Sequence, residues 1–374
     1  MVGGPPSRSA GLQVRGGLRF DGPRATAHAV RTKFHRPGDA LDLYSRVVHP
    51  IEGAAPIEVA GCVVCEGARA TPRFAVDGID ATIVECSGCG LGWFEPLPNP
   101  DEIAALYPQE YYGAPGAKFL SLIEWAVRVV AARHVRFLSA GLAPGAAVLD
   151  VGCGRGVTLS PLADRGFEVH GLEVSEQAVR GADPRASIRI APNLAAAGYE
   201  AGCFDQIVIW HVLEHLADPK GTLLECHRLL KPGGRLVVAV PNFSSWQARF
   251  GGAGWFHLDA PRHLFQFPLL ALRALLERCG FACGRDYHFS LRQNPFGWLQ
   301  SLQNRLDPAR PNRLYAAMHG DASRASVGGR LATVVPWLAI GALPAIALSV
   351  VEAVFRSGAT VHVVATRGDT PDRP

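Results

Sequence analysis

Three groups of residues in this 374-residue chain have the types and spacing to do chemistry. The first is Asp150-Val151-Gly152-Cys153-Gly154-Arg155-Gly156, three glycines at alternate positions behind an acid, with Glu173 ending the next apolar run 17 residues beyond Gly156. Glycines in such a turn let the backbone approach a ligand, and the helix that follows offers unpaired N–H groups. An acid at the tip of a second strand can accept from both hydroxyls of a ribose. The second group is two CxxC pairs, Cys62/Cys65 and Cys86/Cys89, 20 residues apart. That spacing suits four thiolates around one structural Zn²⁺, with no coordination position left open for catalysis. The third is polar: His211, Glu214 and His215, and then Arg262 and His263 in an aromatic loop. Imidazoles there can move a proton near neutral pH.

These residues need elements to hold them. Runs at 147–151, 167–173, 187–190, 204–210 and 235–240 read as strands, separated by helical stretches at 157–165 and 219–230. This alternation predicts an α/β fold with a doubly wound, Rossmann-like sheet. A helix over 268–280, a sixth strand over 289–292 and a final strand over 359–367 complete seven strands. The organisation expected is a disordered basic extension over 1–55, a zinc-ribbon-like module over 56–100 with a hairpin turn at Asp77-Gly78, and a helical connector over 101–145. A core over 146–292, a hydrophobic helical insertion over 293–356 and the last strand over 357–368 follow.

The acid before the first glycine narrows the ligand. A carboxylate there repels a pyrophosphate but suits an ammonium group, such as that of S-adenosylmethionine. The stretch resembles motif I of class I S-adenosylmethionine-dependent methyltransferases, and Phe204-Asp205, Glu214-His215-Leu216, Asp218-Pro219 and Leu230-Lys231-Pro232-Gly233-Gly234 continue the likeness over about 100 residues. The resemblance implies cofactor roles for Asp150, Gly152, Cys153, Gly154, Gly156, Glu173 and His211. Ile190-Ala191-Pro192-Asn193 departs from it, lacking the acid that many members aim at adenine. The CxxC pair, the Trp93-Phe94 strand and the Tyr107–Tyr112 segment are similar to a bacterial branch of the family that accompanies polysaccharide or lipid biosynthesis.

Methyl transfer from a sulfonium is chiefly a matter of placing the acceptor atom, and a base is needed when that atom is a hydroxyl oxygen. His263 is the first candidate base and His215 the second, with Arg262 placed to bind an anionic part of the acceptor. His211-x-x-Glu214-His215 also resembles the acid-x-x-Glu-His segment of quinone-type O-methyltransferases, where such groups hold a divalent cation; here the first acid is His211.

The insertion contains 21 uncharged residues from Leu331 to Val351, interrupted by Pro336 and Pro344. A spanning segment would carry the last strand across the bilayer, so a bent hairpin dipping into a membrane surface through 331–355 is expected, against burial on the protein or on a partner. The net charge of +4 is concentrated in residues 1–40, which carry +5; the near-neutral remainder argues against a nucleic-acid face. Scattered single thiols beside the two pairs indicate a reducing compartment, the cytoplasm, at the inner face of a membrane. The expected activity is methylation of a small-molecule, glycan or lipid-linked acceptor. The alternatives are RNA methylation with the zinc module holding RNA, and a non-catalytic scaffold.

Overall fold

A computed structural model describes residues 46–107, 133–319 and 327–368. Two sheets share the chain. Sheet one is antiparallel and joins β1 (Val48–Pro50), β3 (Arg69–Val76), β4 (Thr82–Cys86) and β5 (Gly92–Glu95), with β2 (Ile57–Glu58) on β3 and β11 (Phe265–Gln266) closing the far edge. Order therefore starts before residue 56: Val48 pairs with Val76 inside the stretch the sequence assigns to the extension. The module is also not self-contained. Its edge strand β5 pairs with β11 from far along the chain, Trp93 opposite Phe265. Cys62, Val84, Trp93, Phe265 and Leu272 belong to one core, so the module's apolar face is covered by the main domain.

Sheet two has seven strands: β6 (Ala147–Val151), β7 (Glu168–Glu173), β8 (Ser187–Ile190), β9 (Phe204–Trp210), β10 (Leu230–Pro241), β12 (Phe281–Tyr287) and β13 (Thr360–Arg367). The order is β12-β13-β10-β9-β6-β7-β8, with β13 antiparallel to both its neighbours and the remaining pairings parallel. The central strands are apolar on both faces because helices cover both sides, which is why β6 and β9 read as near-continuous apolar runs. The short helices α1 (Pro100–Ala105) and α3 (Leu159–Ala163), α4 (Pro219–Leu229), α5 (Trp246–Gly251) and α6 (Leu269–Arg278) connect these strands, together with α2, described over 133–139. Residues 108–132 of the expected helical connector lie outside the described residues, as does most of the 1–55 extension.

The sixth strand is a correction. It is β12, immediately after Gly280, and not 289–292. Gly284-Arg285-Asp286 breaks the apolar alternation where β12 shifts register on β13 between Cys283 and Asp286, and the bulge hides the strand.

The insertion is also not the bent hairpin expected. It folds as α7 (Asn294–Leu306), α8 (Arg313–His319) and α9 (Val327–Val354), the last an unbroken helix containing both Pro336 and Pro344. Both prolines lie on its exposed side. The opposite side packs on α7 through Gly341, Ala345 and Ser349, spaced four apart: a Cβ on Gly341 would sit 2.4 Å from Leu299 Cδ2. Glu352, fully buried, accepts from the Gln247 amide at 2.8 Å and from Trp298 Nε1 at 2.9 Å, fastening the helix end to α5 and α7. Five residues later the chain enters β13 between β10 and β12.

Candidate active site

The glycine turn is built by hydrogen bonds across the strand tips. The amides of Gly152 and Cys153 both donate to the Leu172 carbonyl, at 2.8 and 3.1 Å, and the Gly154 amide donates to Glu173 Oε2 at 2.9 Å. Glu173 Oε1 takes the amides of Val174 and Ser175 at 2.8 and 3.3 Å. Gly152 has φ +72°, and a Cβ there would come within 2.6 Å of Val212, so only glycine fits. Cys153 packs beneath the turn, where burial pushes its thiol up to about 12, an inert lining group.

Asp150 and Glu173 are buried, 6% and 7% exposed, and among the described residues no cationic side chain pairs with either. Burial, and then the neighbouring Glu173 charge, lift the Asp150 carboxyl to about 7. Two buried acids side by side are costly without a cation, and a ligand that brings one relieves the cost. A dinucleotide pyrophosphate would aggravate it. Asn193, in the stretch that lacks the adenine-directed acid, caps the following turn: its Oδ1 accepts from the Ala196 amide at 2.8 Å.

Beyond the tip of β9, His211 takes a left-handed backbone (φ 54°) and turns the chain into the 3₁₀ turn Leu213–His215. His211 Nδ1 lies 3.2 Å from Glu214 Oε1, while Glu214 Oε2 and His211 Nε2 are buried without a hydrogen-bond partner. Burial alone would raise the Glu214 carboxyl; the bond to His211 and the charges of His215, His211 and His263 overrule it and hold it at about 2.

The loop after β10 brings His263 to this cluster. The His215 and His263 rings meet edge-on with centroids 4.6 Å apart, and Glu214, His215 and His263 place ligand atoms within 4.8 Å of one another. The tautomers follow from their partners. His215 Nδ1 is 2.9 Å from the Arg262 carbonyl and His263 Nδ1 is 2.8 Å from the His257 carbonyl. A carbonyl only accepts, so each neutral ring carries its proton on Nδ1 and keeps the Nε2 lone pair for a proton or a cation. Burial and the neighbouring His263 hold His215 at about 4, and hence neutral. One carboxylate and two imidazoles would also suit a divalent cation.

Arg262 does not stand open to an acceptor. It is 6% exposed, and its guanidinium donates to Asp259 Oδ1 at 2.5 Å, while Asp259 Oδ2 is 3.6 Å from His263 Nε2. Asp259 and Tyr107, whose hydroxyl lies 2.9 Å from His215 Nδ1, are the site residues that sequence reasoning missed. Asp259 carried a signal, standing one helical turn before Arg262 and His263. Tyr107 is 108 residues from its partner and carried none.

Residues 123–284 match a family described as a methyltransferase domain. That stretch, under half of the chain, is similar to a methyltransferase domain. Among relatives, the ubiquinone biosynthesis O-methyltransferase of Caulobacter vibrioides is 38% identical over 107 residues, 26% of this chain and 42% of that protein. One from Cereibacter sphaeroides is 35% identical over 154 residues, 37% of this chain and 60% of the relative. The chain therefore spans about half the length of the curated relatives it matches. An S-adenosylmethionine-dependent methyltransferase structure from Archaeoglobus fulgidus is 18% identical, with a TM-score of 0.42 over 67% of this chain and all of that one.

The four cysteines form a separate cluster. Cys62 and Cys89 sulfurs are 3.5 Å apart, Cys65 and Cys86 3.4 Å, and all four lie within 4.8 Å of one another. Tetrahedral zinc with Zn–S near 2.3 Å asks for sulfurs about 3.8 Å apart. Each pair forms the same knuckle: the amides of Glu66 and Gly90 donate to the carbonyls of Cys62 and Cys86, at 2.8 and 3.0 Å. Glu66 holds a left-handed backbone there, φ 61°, and Arg278 of α6 ion-pairs with its carboxylate. Cβ atoms on Gly67 or Gly88 would crowd the Cys65 sulfur at 3.4 and 3.3 Å. The residues fit a structural Zn²⁺.

Proposed function

We propose that this protein is an S-adenosylmethionine-dependent methyltransferase acting on a hydroxyl oxygen of a small-molecule, glycan or lipid-linked acceptor. The observation that carries the cofactor is the pair of buried acids, Asp150 and Glu173, with no cation of the protein's own. Asp150 would bind the methionine ammonium, Glu173 the ribose hydroxyls, and the turn Gly152–Gly156 the backbone-facing edge, with His211 at the mouth. S-adenosylmethionine supplies an electrophilic methyl on a sulfonium. His263 Nε2 or His215 Nε2 would take the proton of the acceptor's hydroxyl as that oxygen receives the methyl group. Asp259 stabilises the imidazolium formed on His263, and Arg262 holds Asp259 in place. The names of the relatives support oxygen as the acceptor atom.

Zinc at Cys62, Cys65, Cys86 and Cys89 is structural in this reading. A cytoplasmic membrane-surface position through 331–355 is supported by α9, where Val334–Val354 has a mean hydropathy of 2.2 and is 11% buried. Length and composition would allow it to cross a bilayer, but β13 follows within five residues as an inner strand, which favours lying along the surface.

Calorimetric titration with S-adenosylmethionine and, separately, NADH tests the cofactor, and transfer of labelled methyl to hydroxyl-bearing glycans, phenols and RNA tests the acceptor. Micromolar binding of S-adenosylmethionine alone is expected. Its absence in folded, zinc-loaded protein would favour a scaffold, and salt-sensitive transfer to RNA would favour the nucleic-acid reading.

A further inference from the structure

Four buried polar atoms near the tips of β9 and β10 have no hydrogen-bond partner among the described residues: Nε2 of His134, of His211 and of His362, and Oγ1 of Thr360. A buried donor or acceptor left unpaired is costly, and a ligand that pairs with it relieves the cost.

Strand register brings these atoms together. Tyr287, His362, Ala239 and Trp210 stand opposite one another across β12, β13, β10 and β9, so their side chains share one face of the sheet. Thr360, two residues before His362, shares that face and pairs with Pro241, the last residue of β10. α2 covers it: the His134 and His362 rings lie 3.9 and 4.3 Å from the Trp210 ring between centroids, and Phe137 meets Tyr287 edge-on at 4.9 Å. His211 follows at the tip of β9, with Nδ1 toward Glu214 and Nε2 left over. This is the carboxyl end of the parallel strands, where open α/β sheets bind ligands. His362 and Thr360 are 6% and 0% exposed, while His134, Trp210 and His211 are half-buried and stand nearer solvent.

The donor set selects the ligand. Burial, then the charges of Arg292 and His211, holds His134 at about 4. Burial, with the charges of His211, His134 and His288, keeps His362 well below the ordinary imidazole range. Both rings are therefore neutral at pH 7 and offer no counter-charge to an anion; Arg292, exposed, is the charged side chain that bears on His134. The nitrogen of a neutral imidazole either donates or accepts, and a hydroxyl answers both. Four such atoms, on α2, on β13 and in the loop after β9, call for several hydroxyls carried on one ring.

We propose that His134, His211, Thr360 and His362 form the acceptor subsite, and that it takes an uncharged polyhydroxylated ring, a sugar. The inference rests on the O-methylation reading and narrows its acceptor. His211 joins the two parts of the site, since its other nitrogen faces Glu214 in the cluster that holds His215 and His263.

Transfer of labelled methyl by the full, zinc-loaded chain to neutral methyl hexosides, to catechol and to glucuronate tests it, with S-adenosylmethionine affinity titrated separately. Transfer to a hexoside is expected, with KM at least about tenfold higher in the near-isosteric Thr360→Val and in His362→Phe, and partly recovered in His362→Gln. The S-adenosylmethionine Kd should stay within about twofold, and Thr360→Val should melt no lower than wild type, because it removes an unpaired buried group. A hexoside KM untouched by Thr360→Val and His362→Phe would overturn the subsite, as would transfer to catechol alone. Preference for glucuronate would assign the recess to an anion held by Arg292 and overturn the uncharged ligand. Intact S-adenosylmethionine binding with every hexoside unused would sink the sugar subsite alone, whereas absent S-adenosylmethionine binding would sink the methyltransferase reading and the subsite with it.

Discussion

Glu173 Oε2 accepts a 2.9 Å hydrogen bond from the Gly154 amide, so the acid proposed for the ribose also ties down the glycine turn. Glu173→Ala therefore removes both the ribose contact and the anchor of the turn. A hydrogen bond to a charged group is worth roughly 1.5–3 kcal/mol, which corresponds to about 10- to 100-fold in Kd. Calorimetry should show S-adenosylmethionine binding weakened by at least that much, with the melting temperature little changed in cofactor-free protein. An unchanged Kd would remove Glu173 from the cofactor site.

The raised Asp150 carboxyl makes both stability and binding depend on pH. Its folded pKa of about 7 lies above the ordinary aspartate value of 3.8, so its stabilising contribution is full below about pH 4 and is lost as pH rises through 7. Asp150→Asn should melt like wild type at pH 4 and above it at pH 8. An ammonium ligand needs the ionised acid, so wild-type affinity for S-adenosylmethionine, taken relative to the variant, should rise about tenfold between pH 6 and 8. Melting curves and titrations over that range check both, and parallel profiles would show that Asp150 does not titrate there.

The glycine turn, β9 and the final strand were legible because their signals are local: an apolar run, a break, an acid at a fixed offset. What was hidden depends on contacts far apart in sequence. β11 is two residues long, and only its pairing with β5 reveals it as the seam between the four-cysteine module and the core. The tautomers of His215 and His263 follow from the carbonyls of Arg262 and His257, which no side-chain pattern announces. Arg262 read as an anion binder because its type allows it, whereas burial and Asp259 decide otherwise. In α9 the prolines predicted a break, but their cost is local, and the Gly341-Ala345-Ser349 face against α7 favours one continuous helix.

The proton-accepting role proposed for the histidines is separable from binding. His263→Ala should lower methyl transfer to a hydroxyl by about 10²- to 10⁴-fold, the usual range for a lost general base, with the S-adenosylmethionine Kd within about twofold of wild type. Asp259→Asn keeps the shape but removes the charge facing Nε2, so its loss should be smaller and accompanied by a shifted pH–rate profile. A divalent cation at Glu214, His215 and His263 would instead make activity sensitive to chelator and restorable by metal. Full activity in His263→Ala would eliminate it as the base.

Zinc removal should reach the acceptor side of the domain. Cys62 and Cys86 belong to the same core as Trp93, Leu264 and Phe265, and Phe265 follows His263 by two residues. The knuckles have little apolar core of their own, so bound zinc would supply stability that links β5 to β11. One zinc per chain is expected by elemental analysis, falling to none in Cys65→Ser/Cys86→Ser. A loss of several kcal/mol, at roughly 2–4 °C per kcal/mol, lowers the melting temperature by about 10 °C or more. Because β11 carries the end of the His263 loop, methyl transfer should fall with the zinc while S-adenosylmethionine binding, held by β6 and β7, persists. Loss of both together would mean that the module supports the whole domain and not the loop alone.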